Sequence, residues 1–150
     1  MTKNLIPTIN ISSIVNEGFN SNQSIKTINK IKKACINIGF FQVTGHGISK
    51  KNIKNICNVG NKFFNSSKNN KTKLAPKKWN NKNKNIYRGY FPNDVNGKEG
   101  LDIGNLKVTK KYAAIKKKQY IEYINLNKSF DRNSIKILTK YFDEIFILGE

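Results

Sequence analysis

From Ile6 to Ser12 the chain reads IPTINIS, and Ile9 and Ile11 alternate with Thr8 and Asn10. A period of two marks a short half-buried strand, and Pro7 places it at a strand start or sheet edge. The period then changes. Ile25, Ile28, Ile31, Cys35 and Ile38 recur at steps of three and four, with Lys26, Lys30, Lys32 and Lys33 between them. This predicts an amphipathic helix, capped by Asn22 or Ser24 and stopped by Gly39. Phe40 to Val43 then read as a buried strand. A second helix follows a Ser49 cap, with Ile53, Ile56, Cys57, Phe63 and Phe64 as its apolar face. Gly60 inside that helix costs it about 1 kcal/mol relative to alanine. The run KNNKTKLAPKKWNNKNKN, from Lys68 to Asn85, has seven lysines and no acid. That pattern predicts a solvated loop, anchored by Trp79. Leu101 and Ile103 alternate as in a strand. From Lys107 to Lys128 neither period wins, although Tyr120, Ile121, Tyr123 and Ile124 can pack. Ile135, Leu138, Phe142, Ile145 and Leu148 form a third helical stripe, with Asp131 or Asn133 as its cap. The order is strand, helix, strand, helix, loop, short strand, helix. So few strands make a poor sheet by themselves, and they call for more sheet from elsewhere.

Composition narrows the partners. The 150 residues carry a net charge of +19, which by itself suggests nucleic acid or an anionic surface. Yet there are 26 Lys, 24 Asn and 21 Ile against two Arg, Arg88 and Arg132. Lys, Asn and Ile are the residues of A/T-rich codons, so genome bias explains the charge without a selected partner. Nucleic-acid readers favour Arg, whose planar fork matches phosphate and guanine. Nucleic acid is therefore disfavoured as a partner. Cys35 and Cys57 sit within the helical patterns, outside any CxxC, and are expected to act as small apolar residues in a reducing cytoplasm. The opening MTKNLIPTIN has no long apolar region, and no run approaches the ~20 apolar residues of a membrane span. A cytoplasmic protein without a membrane partner is expected.

The pieces then fall into a recognisable order. IPTINIS, a helix, IGFFQVTGHGI, a helix with FF, YRGYFP and KEGLDIG resemble the N-terminal region of the isopenicillin-N-synthase-like family. Its members are non-haem iron(II), 2-oxoglutarate-dependent oxygenases. The likeness runs from about Leu5 to Asn105. Its most specific part is Gly39, Phe40, Phe41, His46, Gly47 and Ile48. It implies an α+β fold class: the N-terminal helices and strands of a double-stranded β-helix (jelly-roll) oxygenase, without the jelly-roll core. Residues 1–105 would be the oxygenase N-terminal region. Residues 106–150 would be an ambiguous segment and a helix leading towards the absent jelly roll.

The solitary histidine, His46, lies between Gly45 and Gly47. In the family this histidine belongs to a turn rather than to the iron site. The residues agree: flanking glycines permit backbone angles that other residues resist, and an imidazole there can bond to local backbone. The resemblance implies Fe(II) and 2-oxoglutarate as cofactors, held by a His-x-Asp pair, a distant His and an Arg-x-Ser arginine. That ligand set is absent. Arg132 and Ser134 match Arg-x-Ser by letters, but they sit at a helix start, ahead of where a jelly roll would begin. No catalytic residue and no metal ligand is assigned. Asp94, Glu99 and Asp102 are expected to flank strands.

In relatives the loop around YRGYFP approaches the mouth of the active site. Tyr87, Arg88 and Tyr90 are thus the candidate substrate-lining residues, with Arg88 able to grip a carboxylate bidentately. The plainer reading makes the tyrosines packing residues and Arg88 a surface cation. Three functions follow. The chain is the non-catalytic N-terminal part of an oxygenase acting on a small molecule, with the C-terminal jelly-roll half of the same enzyme as its partner. Or it is a truncated, inactive remnant. Or it is a lysine-rich polyanion (nucleic-acid) binding protein that uses Lys68 to Lys84 with Trp79 as a stacking aromatic.

Overall fold

The computed structural model describes residues 6–93, 97–105 and 123–149. These divide into two units that meet in sequence at Ser49 and Lys50. The boundary falls inside the region 1–105.

The first unit begins with β1 (Thr8–Asn10) and α1 (Ser12–Glu17), followed by α2 (Asn22–Asn37) and β2 (Gln42–Thr44). β1 and β2 pair in parallel, Ile9 opposite Val43. The Ile11 amide extends the ladder by donating to the Thr44 carbonyl at 2.8 Å. The strand expected through Ser12 therefore ends early, and α1 replaces its last residue. The cap of α2 is Ser21, not Asn22 or Ser24: its hydroxyl accepts the Ser24 amide at 3.0 Å. Gly39 ends the helix in a left-handed conformation, its amide reaching the Ala34 carbonyl at 3.0 Å.

The packing of α2 departs from its pattern. Its buried residues are Ser24, Thr27 and Ala34. The Ser13 and Thr27 hydroxyls share a buried hydrogen bond of 3.2 Å between α1 and α2. Small polar residues fit this contact because each hydroxyl finds a partner. The expected apolar stripe consequently faces outward, with Ile25, Ile28, Cys35 and Ile38 exposed. Phe40 is 70% exposed, which corrects its assignment to a buried strand. The ladder starts two residues later.

The second unit holds α3 (Lys50–Phe64), α4 (Lys68–Thr72), β3 (Gly89–Phe91), β4 (Gly100–Asp102), a 3-10 turn (Leu126–Lys128) and α5 (Arg132–Gly149). β3 and β4 pair antiparallel, Tyr90 opposite Leu101. The core gathers Val59, Phe63, Leu74, Ala75, Tyr90, Ile124, Leu126 and Leu138. Phe63 is its hub, stacked on Phe130 at 4.9 Å and edge-on to Phe64 and Tyr90. Asp131 caps α5 by accepting the Ser134 amide at 2.7 Å. Cys57 is exposed, because α3 turns Val59 and Phe63 inward instead.

The lysine-rich run is not a solvated loop. It contains α4, and Leu74, Ala75 and Pro76 are among the most deeply buried residues. The lysines dominated the pattern and hid a three-residue apolar insertion. Tyr120 and Ile121 lie outside the described residues. Ile124 packs in the core.

Candidate functional site

The YRGYFP stretch is fixed from below. The Asn85 side chain is buried and its Nδ2 donates to the Arg88 carbonyl. The Asn85 carbonyl accepts the Lys77 amide at 2.8 Å, and the Tyr90 amide donates to the Leu74 carbonyl at 3.2 Å. Between these anchors Gly89 adopts φ +121°. A side chain at Gly89 would overlap the Leu74 carbonyl and lie 2.9 Å from Asn85 Nδ2. Only glycine supplies both the angle and the close approach.

This geometry sorts the three candidate residues. Tyr90 points inward: it is 3% exposed, packs edge-on to Phe63, and its hydroxyl donates to Glu99 Oε2 at 2.6 Å. Tyr87 is 58% exposed. Arg88 reaches across the hairpin to Asp102 Oδ1 at 2.7 Å, in a pair open to solvent on both sides. A guanidinium held by an exposed carboxylate can exchange it for another carboxylate at little cost, since such surface pairs contribute about 0–1 kcal/mol. The outer surface is therefore Tyr87 and Arg88, and Tyr90 is the strut beneath.

Glu99 ties the hairpin to α4. Its carboxylate accepts Lys71 Nζ at 2.8 Å as well as the Tyr90 hydroxyl, and Lys71 also donates to the Phe64 carbonyl. The Lys71 hydrogen bond, then the Tyr90 hydroxyl, hold the Glu99 carboxyl below its ordinary range. Glu99 thus serves the frame of the site. Asp102 pairs with Arg88, and Asp94 lies outside the described residues.

In the first unit, β2 leads into the turn at Gly45, His46 and Gly47. Gly45 has φ +69°, and a side chain there would overlap Asn10 Oδ1. Asn10 Oδ1 itself accepts the Ser12 amide at 2.9 Å. The Ile48 amide donates to His46 Nδ1 at 3.2 Å. That bond makes Nδ1 an acceptor of local backbone. A single histidine cannot build a two-histidine, one-carboxylate metal site. Among the described residues, no three His, Cys, Asp or Glu side chains gather. The residues present do not fit that iron centre. Arg132 and Ser134 do not form an anion site either: Ser134 is buried at the cap of α5.

Trp79 packs edge-on to Phe91 at 5.6 Å with Lys78 over its ring at 4.7 Å. It is engaged as a packing residue rather than presented for stacking. No helix among the described residues is long and apolar enough to cross a membrane. The buried asparagines Asn83 and Asn85 gave no sequence signal, because asparagine is the background of this chain.

Residues 6–139 match the family described as "non-haem dioxygenase in morphine synthesis N-terminal". A 1-aminocyclopropane-1-carboxylate oxidase of Dictyostelium discoideum is 44% identical over 59 residues, 39% of this chain and 15% of that protein. The 2-oxoglutarate-dependent dioxygenase tropC of Talaromyces stipitatus is 31% identical over 88 residues, 59% of this chain and 26% of that protein. A probable iron/ascorbate oxidoreductase of Dictyostelium discoideum is 33% identical over 112 residues, 66% of this chain and 28% of that protein. The chain thus spans between 15% and 28% of these relatives.

Proposed function

The chain belongs to the N-terminal family of non-haem dioxygenases, and from that premise we propose that it is the non-catalytic N-terminal part of an Fe(II)- and 2-oxoglutarate-dependent oxygenase acting on a small molecule. The observation that carries this reading is the family match over residues 6–139 in a chain with a single histidine. The iron and 2-oxoglutarate ligands are assigned to a C-terminal jelly-roll half, which is the partner of this region. Exposed apolar side chains on α2 and after it, Ile25, Ile28, Ile36, Ile38 and Phe40, support such a partner.

Within this division of labour, Tyr87 and Arg88 face substrate and Tyr90 supports them from the core. Gly39, Phe40, Phe41, His46 and Gly47 have a structural role, with His46 holding the Ile48 amide. Residues 1–105 form the oxygenase region proper, and 106–150 lead towards the jelly roll. The setting is cytoplasmic.

The test is succinate formation from 2-oxoglutarate with Fe(II) and ascorbate. The isolated chain is expected to give none above free iron. Turnover by this chain that is lost in His46→Ala would refute the assignment.

A further inference from the structure

Lysine is abundant everywhere on this chain, but one group of lysines is organised. Lys73, Lys82, Lys84 and Lys128 line a cleft of about 240 Å³. Among the described residues, no carboxylate lines it. Among the described residues, none of these four ammonium groups has an acidic partner, whereas Lys62, Lys71 and Lys140 each do. Unpaired like charges around a concave surface repel one another and concentrate positive potential in the cleft.

One of the four is positioned from the interior. Asn83 is 7% exposed, and its Nδ2 donates to the Lys73 and Ala75 carbonyls at 3.0 and 2.7 Å. Its Oδ1 accepts Lys128 Nζ at 2.8 Å. The buried amide, locked by two backbone acceptors, therefore sets the Lys128 ammonium at the cleft and joins it to the lysine-rich run 45 residues away. Codon bias supplies lysines, but it does not explain a buried amide that holds one in place. Leu74 and Ile124, both buried, form the apolar floor, and Tyr123 adds a half-buried aromatic wall.

We infer that this cleft is a binding site for a small molecule carrying two or more phosphate groups. Several compact ammonium charges match several phosphate oxygens, each by charge-assisted hydrogen bonds. Trp79 is packed against Phe91 rather than presented to a base, which favours a compact anion over an extended nucleic-acid strand held by stacking aromatics. The proposal goes beyond the oxygenase reading and does not depend on it.

Calorimetric titration of the full chain with inorganic tripolyphosphate, at physiological ionic strength, tests it. The variants are K82Q/K84Q, K128Q and, as a charge-matched control on α2, K26Q/K30Q. Lys26, Lys30, Lys82 and Lys84 are exposed, so both double variants are expected to melt with the wild type, whereas K128Q, which loses the bond to the buried Asn83, is expected to melt lower. The expected result is saturable binding that K82Q/K84Q weakens by roughly 10-fold or more, with a smaller loss in K128Q and less than ~2-fold loss in the control. Equal losses in the two double variants would reduce the effect to diffuse attraction by the net charge and overturn the site. So would the absence of saturable binding. A single-stranded oligonucleotide that competes better than tripolyphosphate would overturn the small-molecule assignment in favour of a nucleic-acid backbone.

Discussion

Replacing glycine by alanine should have opposite effects at two positions in the second unit. At Gly89 the backbone sits at φ +121°, where an alanine is strained by about 1–3 kcal/mol. The new Cβ would also overlap the Leu74 carbonyl, which accepts the Tyr90 amide at 3.2 Å. Displacing that contact forfeits about 1 kcal/mol more. G89A should thus lose about 2–4 kcal/mol, a fall in melting temperature of roughly 10 °C for a chain of this size. Gly60 is the contrast. It lies inside α3, and a Cβ there meets nothing within 4 Å. G60A should gain about 0.5–1 kcal/mol, because alanine is the better helix former and loses less entropy on folding. Urea unfolding followed by circular dichroism measures both. G89A unfolding at the wild-type midpoint would refute the pinned YRGYFP geometry. Destabilisation by G60A would show that α3 is crowded where it appears open.

Three further outcomes follow from the same contacts. The Lys62 ammonium and the Ser134 amide hold the Asp131 carboxyl far below its ordinary value of 3.8. A depressed carboxylate contributes stability above its ordinary value and loses it as pH falls through the folded value. Melting temperature should therefore fall on acidification below about pH 4, more shallowly in D131N, which keeps the cap acceptor but not the charge; identical slopes would contradict this. H46A removes the acceptor of the Ile48 amide and should cost about 0.5–1.5 kcal/mol without altering the affinity for Fe(II); a change in iron affinity would return His46 to the candidate ligands. Ile36 and Phe40 are 71% and 70% exposed, so I36K and F40S should leave the melting temperature of this chain within about 2 °C. A large loss of stability in either would mean that this face is already covered.

Periodicity located the three long helices because their apolar spacing is regular, and α5 uses the Asp131 cap that its sequence suggests. It misjudged which face of α2 is covered. Ser24, Thr27 and Ala34 look like a solvent face, yet the hydroxyl pair of Ser13 and Thr27 makes it the packed one. α1 begins at the last residue of the strand-like alternation and has no periodic stripe of its own, and β3 lies inside a loop whose order depends on distant partners. Leu74, Asn83 and Asn85 show why: carbonyls and amides far apart in sequence fix that segment, and no local pattern records such bonds. In the candidate site, the exposed Arg88 was legible as a rare arginine in a lysine background. For Tyr90 the sequence left packing and substrate-lining side by side, because its inward orientation is set by Gly89 and Phe63.

We propose that this region works as part of a larger oxygenase. The direct measurement is the intact mass, with peptide sequencing, of the native product that contains this chain. A mass well above 17.2 kDa is expected, with a His-x-Asp pair and a distant His C-terminal to Glu150. A native product of 17.2 kDa would contradict it.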